Sequence, residues 1–107
     1  MAYDEELAGR IREQLADAPG LTEQKMFGGL AFLIGGNMAV AASGQGGLLV
    51  HVGKAEGEEL IRTTSARPME MRGREMAGWL RVDAGDDLAD WVERGASYAQ
   101  SLPAKNT

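Results

Sequence analysis

The sequence contains no cysteine, which excludes disulfides and every thiolate metal or redox site. Its N-terminus, MAYDEELAGR, is acidic and lacks an apolar h-region, so it does not read as a signal peptide. The longest run without a charge, residues 26–50, matches the length of a bilayer span but is broken by seven glycines, Asn37, Gln45 and Ser43. That composition argues against a membrane helix. Together these absences predict a cytoplasmic protein with no membrane partner.

Nucleotide-binding signatures are missing as well. A phosphate loop needs glycines after a strand and at the start of a helix, so that backbone N–H groups converge on the anion. Gly53-Lys54 is followed by Ala55, and Gly44-Gln45-Gly46-Gly47 precedes an apolar alternating run, the wrong context. Gly-x-Gly-x-x-Gly is absent. His51 is the only histidine, with no spaced carboxylates to complete a metal site, and no serine lies in an elbow motif. The expectation for His51 is a packing or surface role, and no cofactor or metal is expected. The paired carboxylates Asp4-Glu5-Glu6 and Asp86-Asp87 read as helix-capping and dipole residues rather than acid–base pairs.

What is present fits one small domain. The 107 residues predict a single unit with a core of about residues 4–101, able to bury roughly 65% of its extended-chain surface without a staple. Tyr3, Leu7, Ile11 and Leu15 recur every four residues and predict a helix over 4–16. Lys25–Ile34 alternates, with a bend or bulge at Gly28-Gly29. Gly35-Gly36-Asn37 predicts a tight hairpin. Met38, Val40 and Ala42 then line one face of a second strand, and Leu48, Val50 and Val52 one face of a third, with Ser43–Gly47 as the turn between. A helix is predicted over 54–62 with Leu60 and Ile61 as its apolar contacts. Two strands follow, Arg67–Arg72 and Gly78–Asp83, with Gly73–Ala77 as their turn. A last helix runs over 86–101, capped by Asp86 or Asp87, with Leu88, Trp91, Val92, Tyr98 and Ala99 buried. Met26, Met38, Met69, Met71 and Met76 are expected to fill core gaps. With no helix between consecutive strands of the first group, the fold class is α+β: two layers, an antiparallel sheet of about five strands, helices on one face, order α-β(3)-α-β(2)-α.

Charge is uneven. The net charge is −5, yet residues 62–81 hold Arg62, Arg67, Arg72, Arg74 and Arg81 against Glu70 and Glu75. The net charge disfavours nucleic acid as a partner, while a local basic patch would still bind it. If Leu80 and Val82 face the core, Trp79 faces away beside Arg72 and Arg81, which makes these three a candidate interaction surface. The reading favoured over it is that the terminal helix or a twist of the hairpin covers Trp79. The open edges of an antiparallel sheet need cover, which makes a homodimer plausible.

The strings KMFGGLAFLIGGNMAV, GGLLVHVG and ARPMEMRGREMAGWLRVD resemble the N-terminal domain of the TfoX/Sxy competence-regulator family over about residues 5–100. Lys25-Met26-Phe27-Gly28-Gly29 together with Arg67-Pro68-Met69 and Gly78-Trp79-Leu80 carry the likeness. The resemblance implies the same α-β(3)-α-β(2)-α order in a secretion-chaperone-like architecture. It implies, for two-domain members, a role in switching on competence genes alongside another transcription factor, and no catalytic residues. The second, helical domain has no counterpart in these 107 residues. The expected function is therefore a non-catalytic regulatory or protein-interaction module. Two alternatives are nucleic-acid binding through residues 62–81, and an enzyme of unrecognised type, whose mark would be an enclosed polar pocket near His51.

Overall fold

Asp4 opens the first helix. Its Oδ1 accepts the backbone N–H groups of Glu6 and Leu7 at 3.0 and 3.2 Å, and Glu5 and Glu6 sit in the first turn, where carboxylates meet the positive end of the helix dipole. This helix, α1 (Glu5–Gln14), buries Leu7, Ala8 and Ile11. Leu15 is buried just beyond its end and Tyr3 packs partly against the same core. The structure is a computed structural model that describes residues 3–26, 28–44, 46–71, 73–83 and 87–103; of Met26 and Met71 it describes the backbone, and the core role expected of their side chains lies outside the described residues.

The first alternating run is two strands rather than one bent strand. β1 (Leu21–Met26) pairs antiparallel with β2 (Gly29–Ile34), with Leu21 opposite Ile34 and Met26 opposite Gly29. Gly28 has φ +75°, a conformation that suits glycine and closes a two-residue hairpin turn. Gly29 has no room for a side chain, because a Cβ would collide with the Ala42 carbonyl oxygen. The sequence expectation of a bulge at this pair is thus corrected to a turn, and the strand count rises from five to six.

Gly35-Gly36 then close Ile34 onto Asn37 as expected, starting β3 (Asn37–Ala42). β4 (Leu48–His51), helix α2 (Lys54–Thr63), β5 (Arg67–Met71), β6 (Arg74–Val82) and helix α3 (Leu88–Ser101) complete the chain. One antiparallel sheet has the order β1-β2-β3-β4-β6-β5. β1 and β5 are its edges, and β5 carries Pro68 and a register shift beside it. The glycine-rich stretch therefore forms turns between strands, as its sequence predicts.

Helices cover one face of this sheet. Leu30, Phe32, Ile34, Val40, Ala42, Leu48, Val50, Leu80 and Val82 join α1, α3 and Leu60 of α2 in a single apolar cluster. α3 lies over β3 and β4, and α2 over β6. The approach of α3 is close at Gly95, where a Cβ would collide with the Ala39 carbonyl oxygen and stand 2.8 Å from Val40 Cγ1. Asn37 Nδ2 donates to the Pro103 carbonyl oxygen at 2.9 Å, tying the chain after α3 to the start of β3.

Several expectations on side chains change. Ile61 and Met76 are exposed rather than core residues: α2 closes on β6 through Gly57 and Gly78, which leaves Ile61 and Met76 on the rim of a shallow groove with Pro68. Residues 74–77 belong to β6 rather than to a turn. They are exposed, so no apolar alternation marks them. Asp87 is the N-cap residue of α3, but its Oδ2 accepts the Trp91 indole N–H at 2.9 Å instead of a backbone N–H. Asp86 lies outside the described residues.

Two outcomes test this packing. Gly95→Ala gains helix propensity of about 1 kcal/mol but overpacks the α3–β3 contact by about 1–3 kcal/mol, so a net loss of about 1 kcal/mol is expected in urea unfolding; equal or greater stability would show that α3 does not need the close approach. Arg12 Nε and Nη2 donate to the Glu23 carboxylate at 2.6 and 2.9 Å, which holds that carboxyl below the usual glutamate range against a smaller upward push from burial. The depressed value means the contribution is present above the ordinary glutamate pKa and is lost as pH falls through the lowered one. In Arg12→Ala, carboxyl NMR titration should show Glu23 moving up; an unchanged titration would remove the pair.

Candidate interaction surface

A bulge in β3 sets the geometry of the opposite face. Phe32 pairs with Val40 and Leu33 with Met38, leaving Ala39 as an extra residue. Such an insertion bends the strand and offsets the alternation of its side chains. Ala39 and Val40 both join the helix-side core, and Met38 moves to the other face. This corrects the expectation that Met38 shares a face with Val40 and Ala42.

The bulge also ends the β3–β4 ladder. Pairing runs from Ala42–Leu48 to Val40–Val50 and stops. Beyond it, His51 Nδ1 lies 3.2 Å from the Met38 carbonyl oxygen. A carbonyl can only accept, so this contact places the proton on Nδ1. The imidazole thus satisfies a backbone group that β4 leaves without a ladder partner. Its ring stacks on Trp79, the residue opposite it on β6, with centroids 4.3 Å apart and planes 7° from parallel. Tyr98 of α3 meets the same imidazole edge-on at 4.9 Å, in a T-shaped geometry that favours aromatic pairs.

Around this stack lies a second apolar cluster containing no helix residue. Ala31, Ala41, Leu49 and Met69 are buried, and Leu33, Met38 and Trp79 pack partly against them. Trp79 therefore lies outside the main core cluster and is half-buried against His51, so it is neither fully exposed nor covered by the terminal helix as favoured from the sequence. The sequence did not single out the Met38 carbonyl or Tyr98 as neighbours of this site. Tyr98 was expected in the buried stripe of α3; it is partly exposed and reaches the end of the ladder instead.

The arginines are distributed rather than pooled. Arg81 Nη1 donates to the Gly46 carbonyl oxygen at 2.9 Å and to Ser43 Oγ at 3.3 Å, pinning the 43–47 turn to β6. Arg67 is opposite Arg81 on β5 and stands 3.9 Å from the Asp83 carboxylate. Arg62 pairs with Glu59 along α2, and Arg74 is exposed on β6. Arg72, the third residue of the predicted surface, lies outside the described residues. Among the described residues no three of His, Asp and Glu gather as metal ligands, and no helix is long and apolar enough to cross a membrane.

A three-helix layer on an open six-stranded antiparallel sheet, with an aromatic stack on the uncovered face, defines a two-layer α+β domain. The chain belongs to the TfoX N-terminal domain family, whose model matches residues 13–99. No curated protein and no solved structure matches it.

The stack predicts a measurable coupling. A double-mutant cycle of His51→Ala and Trp79→Ala should return about 0.5–1.5 kcal/mol of coupling in chemical denaturation. Additive effects would mean that the rings touch without stabilising each other.

Proposed function

We propose that the domain is a non-catalytic, regulatory interaction module of the cytoplasm that receives a protein partner on the sheet face opposite its helix layer. The second apolar cluster carries this reading: Leu33, Met38 and Trp79 remain partly exposed around a cluster that contains no helix residue, and Tyr98 of α3 reaches it through His51 at one end. Tryptophan, methionine and arginine are the residue types enriched at protein interfaces, and this face combines Trp79 and Met38 with Arg81 and Arg67. Membership of the TfoX N-terminal domain family supports a regulatory setting. The resemblance points to a transcription factor as the class of partner.

Nucleic-acid binding is the second reading, favoured by Trp79 standing beside Arg81 across from Arg67. Against it, the net charge of −5 repels a polyanion at long range. Arg81 is also already engaged by the 43–47 turn.

Site-specific photo-crosslinking in the source cell separates the two. A benzophenone side chain at Leu33 or Met38 should give protein adducts that Trp79→Ala removes, and one at Glu13 on exposed α1 should give none. Adducts with DNA or RNA alone would replace the protein reading. Equal adducts from Glu13 would remove this face as the site.

A further inference from the structure

The two edges of the sheet are unlike. β5 is interrupted by Pro68, which lacks a backbone N–H, and by the register shift at Pro68/Met69; both features block strand addition. β1 has neither. Its six residues pair in unbroken register with β2, and Thr22, Glu23, Gln24 and Lys25 are exposed.

The hydrogen-bond phase of β1 is fixed by its neighbour. The Gly35 N–H donates to the Gly20 carbonyl oxygen at 3.2 Å, and Met26 closes the two-residue turn on Gly29. In an antiparallel ladder alternate residues turn their backbone groups to the same side. Thr22, Gln24 and Met26 therefore use theirs on β2, and Leu21, Glu23 and Lys25 present theirs at the free edge.

We infer that β1 is a self-complementary docking edge, on which a second copy of this chain pairs antiparallel about a twofold axis at Gln24. That register places Glu23 opposite Lys25 of the second copy, and Lys25 opposite its Glu23. Both residues hold outward backbone groups, so each of these two pairs exchanges ladder hydrogen bonds as well as opposite charges. Shifting the pairing by two residues in either direction sets Glu23 against Glu23 or Lys25 against Lys25, and shifting by one sets outward groups against inward ones. Charge complementarity thus selects one register. Arg12 already binds Glu23, and each carboxylate oxygen keeps a lone pair for the incoming lysine. The contact is isologous and closes on itself. A pairing of five residues, 22–26, belongs with small, reversible interfaces below about 1,200 Å².

Charge exchange tests the register in the full chain. By sedimentation equilibrium, the unmodified protein should rise with concentration from one toward two 11.4-kDa chains. Glu23→Lys and Lys25→Glu alone should each stay monomeric, since each sets like charges opposite. Their equimolar mixture, and the double variant E23K/K25E, should recover association. A monomer at millimolar concentration, single variants that associate as the parent does, or a mixture that stays monomeric would each overturn the inference. A second variant guards against folding defects. At the axis, Gln24 and its copy form a non-hydrogen-bonded pair with Cα atoms about 4.5 Å apart, within the span a disulfide bridges. In a chain with no other cysteine, Gln24→Cys should oxidise to a linked dimer about tenfold or more faster than Glu13→Cys, through raised effective concentration. Equal rates would overturn the inference.

Discussion

The bulge at Ala39 is the constraint on which both faces of the sheet depend. On the helix side it turns Ala39 and Val40 inward together, which brings backbone close enough to α3 that only a residue without Cβ fits at Gly95. On the other side it moves Met38 across the sheet and stops the ladder to β4. The Met38 carbonyl is then taken by a side chain, His51, rather than by backbone. Packing of the core and placement of the aromatic stack follow from one extra residue. Bulges next to functional surfaces are a recurring way of re-aiming a side chain.

His51 illustrates how a lone titratable residue becomes structural. It has a carbonyl at Nδ1, a tryptophan face on its plane and a tyrosine edge beside it. These contacts fix the orientation of the ring. The same rings join α3, β4 and β6 at one point, so the surface that carries Trp79 is held by the helix layer behind it. Arg81 adds a second anchor by fixing the 43–47 turn. A protein surface preorganised in this way loses less conformational freedom when a partner arrives.

Much of the fold was legible because one-sided burial leaves a period. The four-residue stripe of α1 and the alternation of Leu30, Phe32 and Ile34, of Leu48 and Val50, and of Leu80 and Val82 each match a buried face. β1 was hidden because it is an edge: Leu21 packs on the core, and Thr22, Glu23, Gln24 and Lys25 are polar and exposed. The start of β6 is no edge, but it was hidden because residues 74–77 are exposed and show no apolar alternation. The bulge left no trace in the sequence, since residues 38–42 are apolar throughout and either phase reads equally well. Of the candidate surface, the alternation with Leu80 and Val82 offered an outward direction for Trp79, while the half-covered state it has depends on partners distant in sequence. Its stacking on His51 required the β4–β6 register, a long-range pairing that no local pattern encodes. Family membership confirms the likeness carried by the glycine-rich strings and by Gly78-Trp79-Leu80, while partner and pathway are not written in those residues.

Pro68 and the kink beside it make the sheet a structure with one terminus sealed. Fibrillar growth by strand stacking requires a unit that can accept a neighbour on both sides, because each addition must regenerate the site it consumes. A sheet sealed at β5 regenerates nothing after its first encounter. The placement of a single ring amino acid thereby gives a glycine-rich chain a built-in stop against runaway polymerisation.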